Sequence, residues 1–342
     1  MSAIRSNISI HASSAASENE LKGEEKVFNE SDRPAYAASA EDVSSHPLFG
    51  TVDLIATPQT AEVYGIVKIM VVLNDSGAYI SARPGAGKSC CLQILQAYFN
   101  RDMPSLPSFI LHANQQQHHS IRAFYKGLLF SLGLSTSGET ADLRARTFTQ
   151  LAYLGRESRI RKILFLIDEA HRMGIFEFQF LKDVYNHLSL NGVSLITIMV
   201  GQQPNLSERI DKLRADGHED IIGRFASKEI SFRSFETISD IEIVFDAIDL
   251  ARDSNGKSWT EFFCPVAFSN GFRLSGLSER FFENLQHTML SPAAPYFDAR
   301  PFFRAIRYFL VALAGLDGPS IELSDSTFKN AIFSARLDEV SK

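Results

Sequence analysis

Tryptophan occurs once in the 342 residues and cysteine three times. Cys90 and Cys91 are adjacent and Cys264 is far away, so neither a disulfide framework nor a C-x-x-C metal pair is available. This usage fits a reducing cytoplasm. A basic excess is also missing: 34 Lys and Arg stand against 40 Asp and Glu, for a formal net charge of −6. The surface as a whole is therefore not built to wrap nucleic acid, and any duplex contact has to come from a local patch. No apolar run approaches the roughly eighteen residues of a membrane span. The longest, "RYFLVALAGL", is flanked by ordinary helix sequence. The opening "MSAIRSNISIHASSAASENE" contains no apolar stretch of signal-peptide length. These absences set the expectation of a cytoplasmic protein without a membrane partner. With 45% hydrophobic residues, the chain can build one large domain or two modest ones.

What is present falls into three parts. Residues 1–45, rich in Ser, Ala, Glu and Asn, read as a disordered tail that is either solvated or docks a partner. From 46 to 235, strand-like runs ("GAYISA", "SFILHAN", "RKILFLIDEA", "VSLITIMVG", "KEISF") alternate with amphipathic helical stretches. Such alternation predicts a parallel sheet flanked by helices on both sides, an α/β fold. From 236 to 342 the strand signals stop, and four segments, including "TISDIEIVFDAIDLA" and "DARPFFRAIRYFLVALAG", have helical spacing. A small all-helical domain is expected there.

The stretch "SARPGAGKSCC" follows the first strand and opens a helix. It nearly matches the phosphate-loop pattern G-x-x-x-x-G-K-[ST]. Gly87, Lys88 and Ser89 fit, while Ala82 stands where the first glycine is expected. An alanine is tolerated at the end of a strand if its φ is negative. Pro84, Gly85, Ala86, Gly87, Lys88, Ser89 and Cys90 then form a cradle whose backbone amides point at phosphate oxygens. Lys88 is expected on the β and γ phosphates of ATP and Ser89 on Mg²⁺.

The run "ILFLIDEAHRM" closes a second buried strand with Asp168 and Glu169. Beside a phosphate loop, Asp168 binds Mg²⁺ and Glu169 orients and polarises the attacking water. This strand is expected next to the strand of the loop. The bland alternative is a strand ended by two helix-capping acids. The letters "DEAH" also occur in helicases with two motor lobes, but only one lobe is visible here. An N-K-x-D base-reading motif is absent, which argues against GTP. Three further positions stand out. Gln202, with Gln203 behind it, ends the strand "SLITIMVGQQ" where a polar group reaches the γ phosphate or the water; otherwise it begins a helix turn. Arg224, before the last strand, is placed either to enter a neighbouring subunit's site as an arginine finger or to pair with Glu219 or Asp220. Arg273, or Arg280, is a candidate to reach back from the helical domain to the nucleotide.

On "ARPGAGKS", "FLIDEAHRM", "IMVGQQPNL" and "GRFASKEISF", the chain resembles the AAA+ ATPases, and within them the transposition regulators of the TnsC, TniB, MuB and IstB group. "VGQQPNL" is also similar to ExeA-like secretion ATPases. The resemblance implies a P-loop AAA+ sheet followed by a helical lid, in a bacterial protein. It further implies ATP-dependent rings or filaments on double-stranded DNA, target-site selection, and recruitment of a transposase and targeting proteins. Independently, Arg122, Lys126, Arg144 and Arg146 offer a basic patch for largely non-specific phosphate contact. Two other readings stay open: an AAA+ ATPase of a secretion or remodelling machine, and a scaffold that binds ATP with little hydrolysis.

Overall fold

The buried apolar runs become the strands of one sheet. In the computed structural model, described over residues 40–50, 54–113, 120–289 and 297–337, α1 (Ala40–Ser45) and a 3-10 turn at Pro47–Phe49 lead into α2 (Pro58–Leu73). Five strands follow: β1 (Gly77–Ala82), β2 (Ser108–His112), β3 (Lys162–Asp168), β4 (Ser194–Gln202) and β5 (Lys228–Glu229). They lie in the order β2-β3-β4-β1-β5, and each adjacent pair is parallel. Parallel neighbours need long crossovers, and helices supply them. These are α3 (Lys88–Asp102), α4 (Ile121–Ser131), α5 (Thr140–Glu157), α6 (Ile175–Leu190), α7 (Asn205–Ala215) and α8 (Glu219–Phe225).

The strand period of two sorts side chains to opposite faces. Leu164 and Leu166 of β3 pack with Val67, Met70, Leu95 and Phe99 of α2 and α3. Ile163, Phe165 and Ile167 of the same strand pack with Tyr125, Leu151, Phe178 and Leu181 on the other side. A third core joins α9 (Ile238–Leu250), α10 (Trp259–Phe263), α12 (Ser278–Met289), α13 (Ala299–Ala314) and α14 (Asp325–Leu337). Its centre is aromatic: Phe245, Phe281, Phe302, Phe309 and Phe328. The short α11 (Pro265–Ser269) follows α10 directly.

The structure departs from the sequence reading in several places. β3 does not lie beside β1. β4 is inserted between them, paired with β1 from Gly77↔Thr197 to Ala82↔Gln202 and with β3 from Lys162↔Ser194 to Ile167↔Met199. β4 is buried along its length except at its two ends, and such a run belongs in the middle of a sheet. The strand expected over "KEISF" shrinks to Lys228–Glu229. Both residues are exposed, as suits a sheet edge kept short. The packing also does not divide at residue 46: Leu48 is buried in the helical core, with Phe49 and Ile55 against it. Arg307 fixes this segment by donating from Nε to the Leu48 carbonyl at 2.8 Å. Of the tail expected over residues 1–45, residues 1–39 lie outside the described residues. Helix α2 had no counterpart in the sequence reading.

Arg233 joins the sheet part to the helical part. Its guanidinium bridges Glu62 of α2 at 2.7 Å and Asp240 of α9 at 2.8 Å. Asp240 is buried and also accepts from the backbone amides of Glu236 and Thr237. Burial alone pushes a carboxyl's pKa up, but here Arg233 and the amides outweigh it and hold Asp240 below its ordinary value. A pKa depressed by folding adds stability above the unfolded value, about 3.9, and that stability is lost as pH falls through the folded value. Asp240→Asn is therefore expected to cost about 3 kcal/mol at neutral pH, since it leaves Arg233 half-paired. In urea titrations the gap from the parent protein is expected to narrow once the pH drops below about 3.9.

Candidate nucleotide-binding site

The site forms where β1, β4 and β3 end together. β1 stops at Ala82 and α3 starts at Lys88. The turn between them uses positive φ at Gly85 (83°) and Gly87 (93°). Ala82 is not among the positive-φ residues and keeps its strand pairing with Gln202. Alanine in place of the first glycine thus causes no backbone strain. Gly87 caps α3 without a side-chain bond. The first amides of α3 have no intrahelical acceptor, and with the helix dipole they suit an anion. Lys88, 9% exposed, arches back so that Nζ donates to the carbonyls of Ala82 (3.0 Å) and Arg83 (2.7 Å). Burial lowers its pKa, and the nearby Glu169 and Asp168 work against that. Ser89 and Cys90 are exposed in the first turn of α3. Although Cys90 is exposed as a residue, partial desolvation of its thiol raises the pKa, which keeps it protonated.

Asp168, 4% exposed, ends β3. Its Oδ1 accepts from the Glu169 amide at 2.9 Å, and His112 Nδ1 stands 3.8 Å from Oδ2. Among the described residues no group of three or more His, Cys, Asp or Glu converges on a metal position. Mg²⁺ suits this sparse donor set, because it is commonly held by one carboxylate, a hydroxyl, water and the phosphates themselves. Glu169 has φ 56° and ψ 31°, left-handed values for a residue with a β-carbon. They turn the chain into the 3-10 segment Ala170–Arg172. Its Oε2 lies 3.1 Å from Arg172 Nη2 and 3.6 Å from His171 Nε2. His171 Nδ1 accepts from the Gln202 amide at 3.2 Å. Gln203 donates its amide to the Ala82 carbonyl at 3.0 Å, and with Gln202 it completes the end of β4 between the loop and the acids.

The helical part touches the loop directly. The Arg300 amide donates to the Gly85 carbonyl at 3.0 Å. A β-carbon on Gly85 would stand 3.8 Å from Arg300 Nε. Arg83 Nη2 meets Asp298 Oδ1 at 3.2 Å and Ser234 Oγ at 3.3 Å, and Ser234 donates to the same Asp298 oxygen at 3.0 Å. The sequence candidates for this role are elsewhere. Arg273 stacks on Phe268 at 3.8 Å and donates to the carbonyls of Phe268 and Phe272. Arg280 pairs with Asp325 at 2.9 Å. Arg300 is the arginine of the helical part that lies against the phosphate loop. One signal was available in "DARPFFRAIRY": an arginine in the first turn of a helix opposes the helix dipole and needs a reason to be there.

Arg224 lies in α8, and its carbonyl packs against Gly77, the first residue of β1. The phosphate loop is at the other end of that strand, about 17 Å away. Arg224 Nη1 donates to the Asp220 carbonyl at 2.6 Å, while Nε is buried without a hydrogen-bond partner among the described residues. The carboxylate of Asp220 pairs with Lys182 instead. The four basic candidates for DNA divide in two. Arg144 is paired with Asp183 at 3.2 Å, and Arg146 donates to the carbonyls of Ser135 and Ser137. Arg122 is exposed and Lys126 partly exposed on one side of α4, and the side chain of neither forms a hydrogen bond or ion pair among the described residues. Among the described residues no helix is long and apolar enough to cross a membrane.

A family model described as "AAA domain" matches residues 73–210. The ORC2 protein of Aeropyrum pernix in its ADPNP-ADP complexes is similar in structure, with 11% identity over 84% of this chain and 71% of that one, at a TM-score of 0.57. The ADP form of the same protein gives 12% identity, 83% and 71% coverage, and a TM-score of 0.55. No curated protein matches the sequence. The fold is that of a P-loop AAA+ ATPase with a helical C-terminal part, and ATP with Mg²⁺ are the ligands of such a domain. Lys88→Ala is expected to weaken ATP binding about 100-fold, as a charge-assisted contact to phosphate is lost. Arg300→Ala is expected to weaken it about 10-fold with an unchanged melting curve. Calorimetric titration with ATP and Mg²⁺ measures both, and unchanged affinity in Lys88→Ala would remove the site assignment.

Proposed function

We propose that this AAA domain drives an ATP-dependent, DNA-associated regulator of transposition, which assembles on target duplex and recruits or activates a transposase. The observation that carries the assembly is Arg224. It sits at the end of β1 opposite the phosphate loop, with a buried Nε that has no hydrogen-bond partner among the described residues, which supports a role at a neighbour's nucleotide rather than its own. In this reading Ser89 and Asp168 hold Mg²⁺, and the loop amides and Lys88 hold the phosphates. Glu169 orients the attacking water, and Gln202 lies beside the γ phosphate. Arg224 of the next subunit neutralises charge as the phosphoryl group transfers. The A. pernix ORC2 protein, which shares the fold, is described with ADPNP and ADP, and this supports the nucleotide part.

The DNA part is supported by Arg122 and Lys126 on α4. Few phosphate contacts per subunit suffice, because an assembly repeats them. The choice of transposition rests on the resemblance carried by "FLIDEAHRM", "IMVGQQPNL" and "GRFASKEISF". In this reading the protein is bacterial and works in the cytoplasm, as the same resemblance and the cysteine usage suggest.

Electron microscopy with ATP and Mg²⁺, with and without a random duplex, tests the whole. Filaments or stacked rings on DNA are expected. Discrete rings indifferent to DNA point to a secretion or remodelling machine, and unassembled particles to a scaffold. Arg224→Ala is expected to bind ATP normally and to lose most hydrolysis. Mixing it with Glu169→Gln, which still supplies Arg224, is expected to restore part of the rate. No restoration would mean that Arg224 does not act between subunits.

A further inference from the structure

We propose that His171 is a positioning residue for hydrolysis, holding the carboxylate of Glu169 against the end of β4. This rests on the reading of Glu169 as the group that orients the attacking water. The imidazole is tied at both ends. Its side chain is 12% exposed, and Nδ1 accepts the Gln202 amide at 3.2 Å. A neutral imidazole has one donor and one acceptor nitrogen, so an acceptor at Nδ1 places the proton on Nε2. That proton faces Glu169 Oε2 at 3.6 Å, an electrostatic approach slightly longer than a hydrogen bond. Burial lowers the pKa of His171, the opposing pull of Glu169 notwithstanding, which favours the neutral ring.

The backbone supports the same link. A β-carbon on Gly201 would stand 3.1 Å from the His171 amide nitrogen and 2.9 Å from Leu206 Cδ2. The turn bearing His171 is therefore seated closely on the end of β4, where a larger residue would crowd it. Arg172 also reaches Glu169 Oε2, at 3.1 Å, but its side chain is 42% exposed and its contact is local to the turn. Water competes for such a pair. His171 bonds to β4, and through it a displacement of the Gln202 backbone moves the Glu169 carboxylate. Glu169 needs this hold because its left-handed backbone sets only the start of the side chain, not where the carboxylate points.

The test separates the two ends of the ring. In His171→Asn, the amide oxygen sits where Nδ1 does and keeps the Gln202 bond, but the side chain stops short of Glu169. In His171→Gln, a donor stands at the distance of Nε2. In single-turnover and steady-state ATPase assays, His171→Asn is expected to lower kcat about 10-fold. Its KM for ATP and melting temperature are expected to stay near the parent values. His171→Gln, which restores the donor but not the acceptor for the Gln202 amide, is expected to recover part of the rate. Placed in a Glu169→Gln background, His171→Asn is expected to add nothing, because it acts through Glu169. A further loss in that background, a loss confined to KM, or an undiminished rate in His171→Asn overturns the proposal. Parent-level hydrolysis in Glu169→Gln alone overturns the role of Glu169 as well, which tells the two failures apart.

Discussion

The parallel pairing of β1 with β4 is the constraint on which the site depends. Because the register runs to Ala82↔Gln202, the phosphate loop and the end of β4 leave the sheet at the same level. β3 is paired to the far side of β4 and ends nearby at Asp168. Ligand sites in open parallel sheets lie at the carboxyl ends of the strands, and here three such ends supply the cation, the amides and the acids. The fully buried middle of β4 fixes the spacing, since a slip of one residue would turn its whole apolar set around.

Charge is arranged around this framework with little redundancy. Lys88 and Arg83 come from the loop, and Arg300 from the helical part. Asp168 and Glu169 face Lys88, and Asp298 pairs with Arg83. Asp298 occupies the cap position of α13 yet makes no cap bond. Its carboxylate is engaged by Arg83 and Ser234 instead, so the start of α13 is held by the phosphate loop and the joint between the two parts.

Much of this was legible in the sequence where the physics is local. A turn that needs positive φ shows as Gly85 and Gly87, and a strand covered on both faces shows as "KILFLID". Strand order was not legible, because it follows from which run packs most completely, a property of the whole sheet. Arg300 was missed because its contact with Gly85 is tertiary and periodicity says nothing of it. Helix α2 was missed for a different reason. Val63, Val67 and Met70 are buried while Ile66, Ile69, Val72 and Leu73 are exposed, so apolar residues surround it and the helical stripe is blurred. The arginines of α5 show the opposite limit: residue type alone does not reveal that Arg144 already pairs with Asp183 and Arg146 with the Ser135 carbonyl.

The bond from the Arg300 amide to the Gly85 carbonyl has a thermodynamic corollary. The helical part and the phosphate loop share a backbone contact, so neither can take a new position without the other registering it. By linkage, any partner that binds one arrangement of the helical part more tightly changes the affinity for nucleotide by some factor. The nucleotide must change the affinity for that partner by the same factor. Occupancy of the loop would in this way be reported to any partner of the helical part, including one bound at α14.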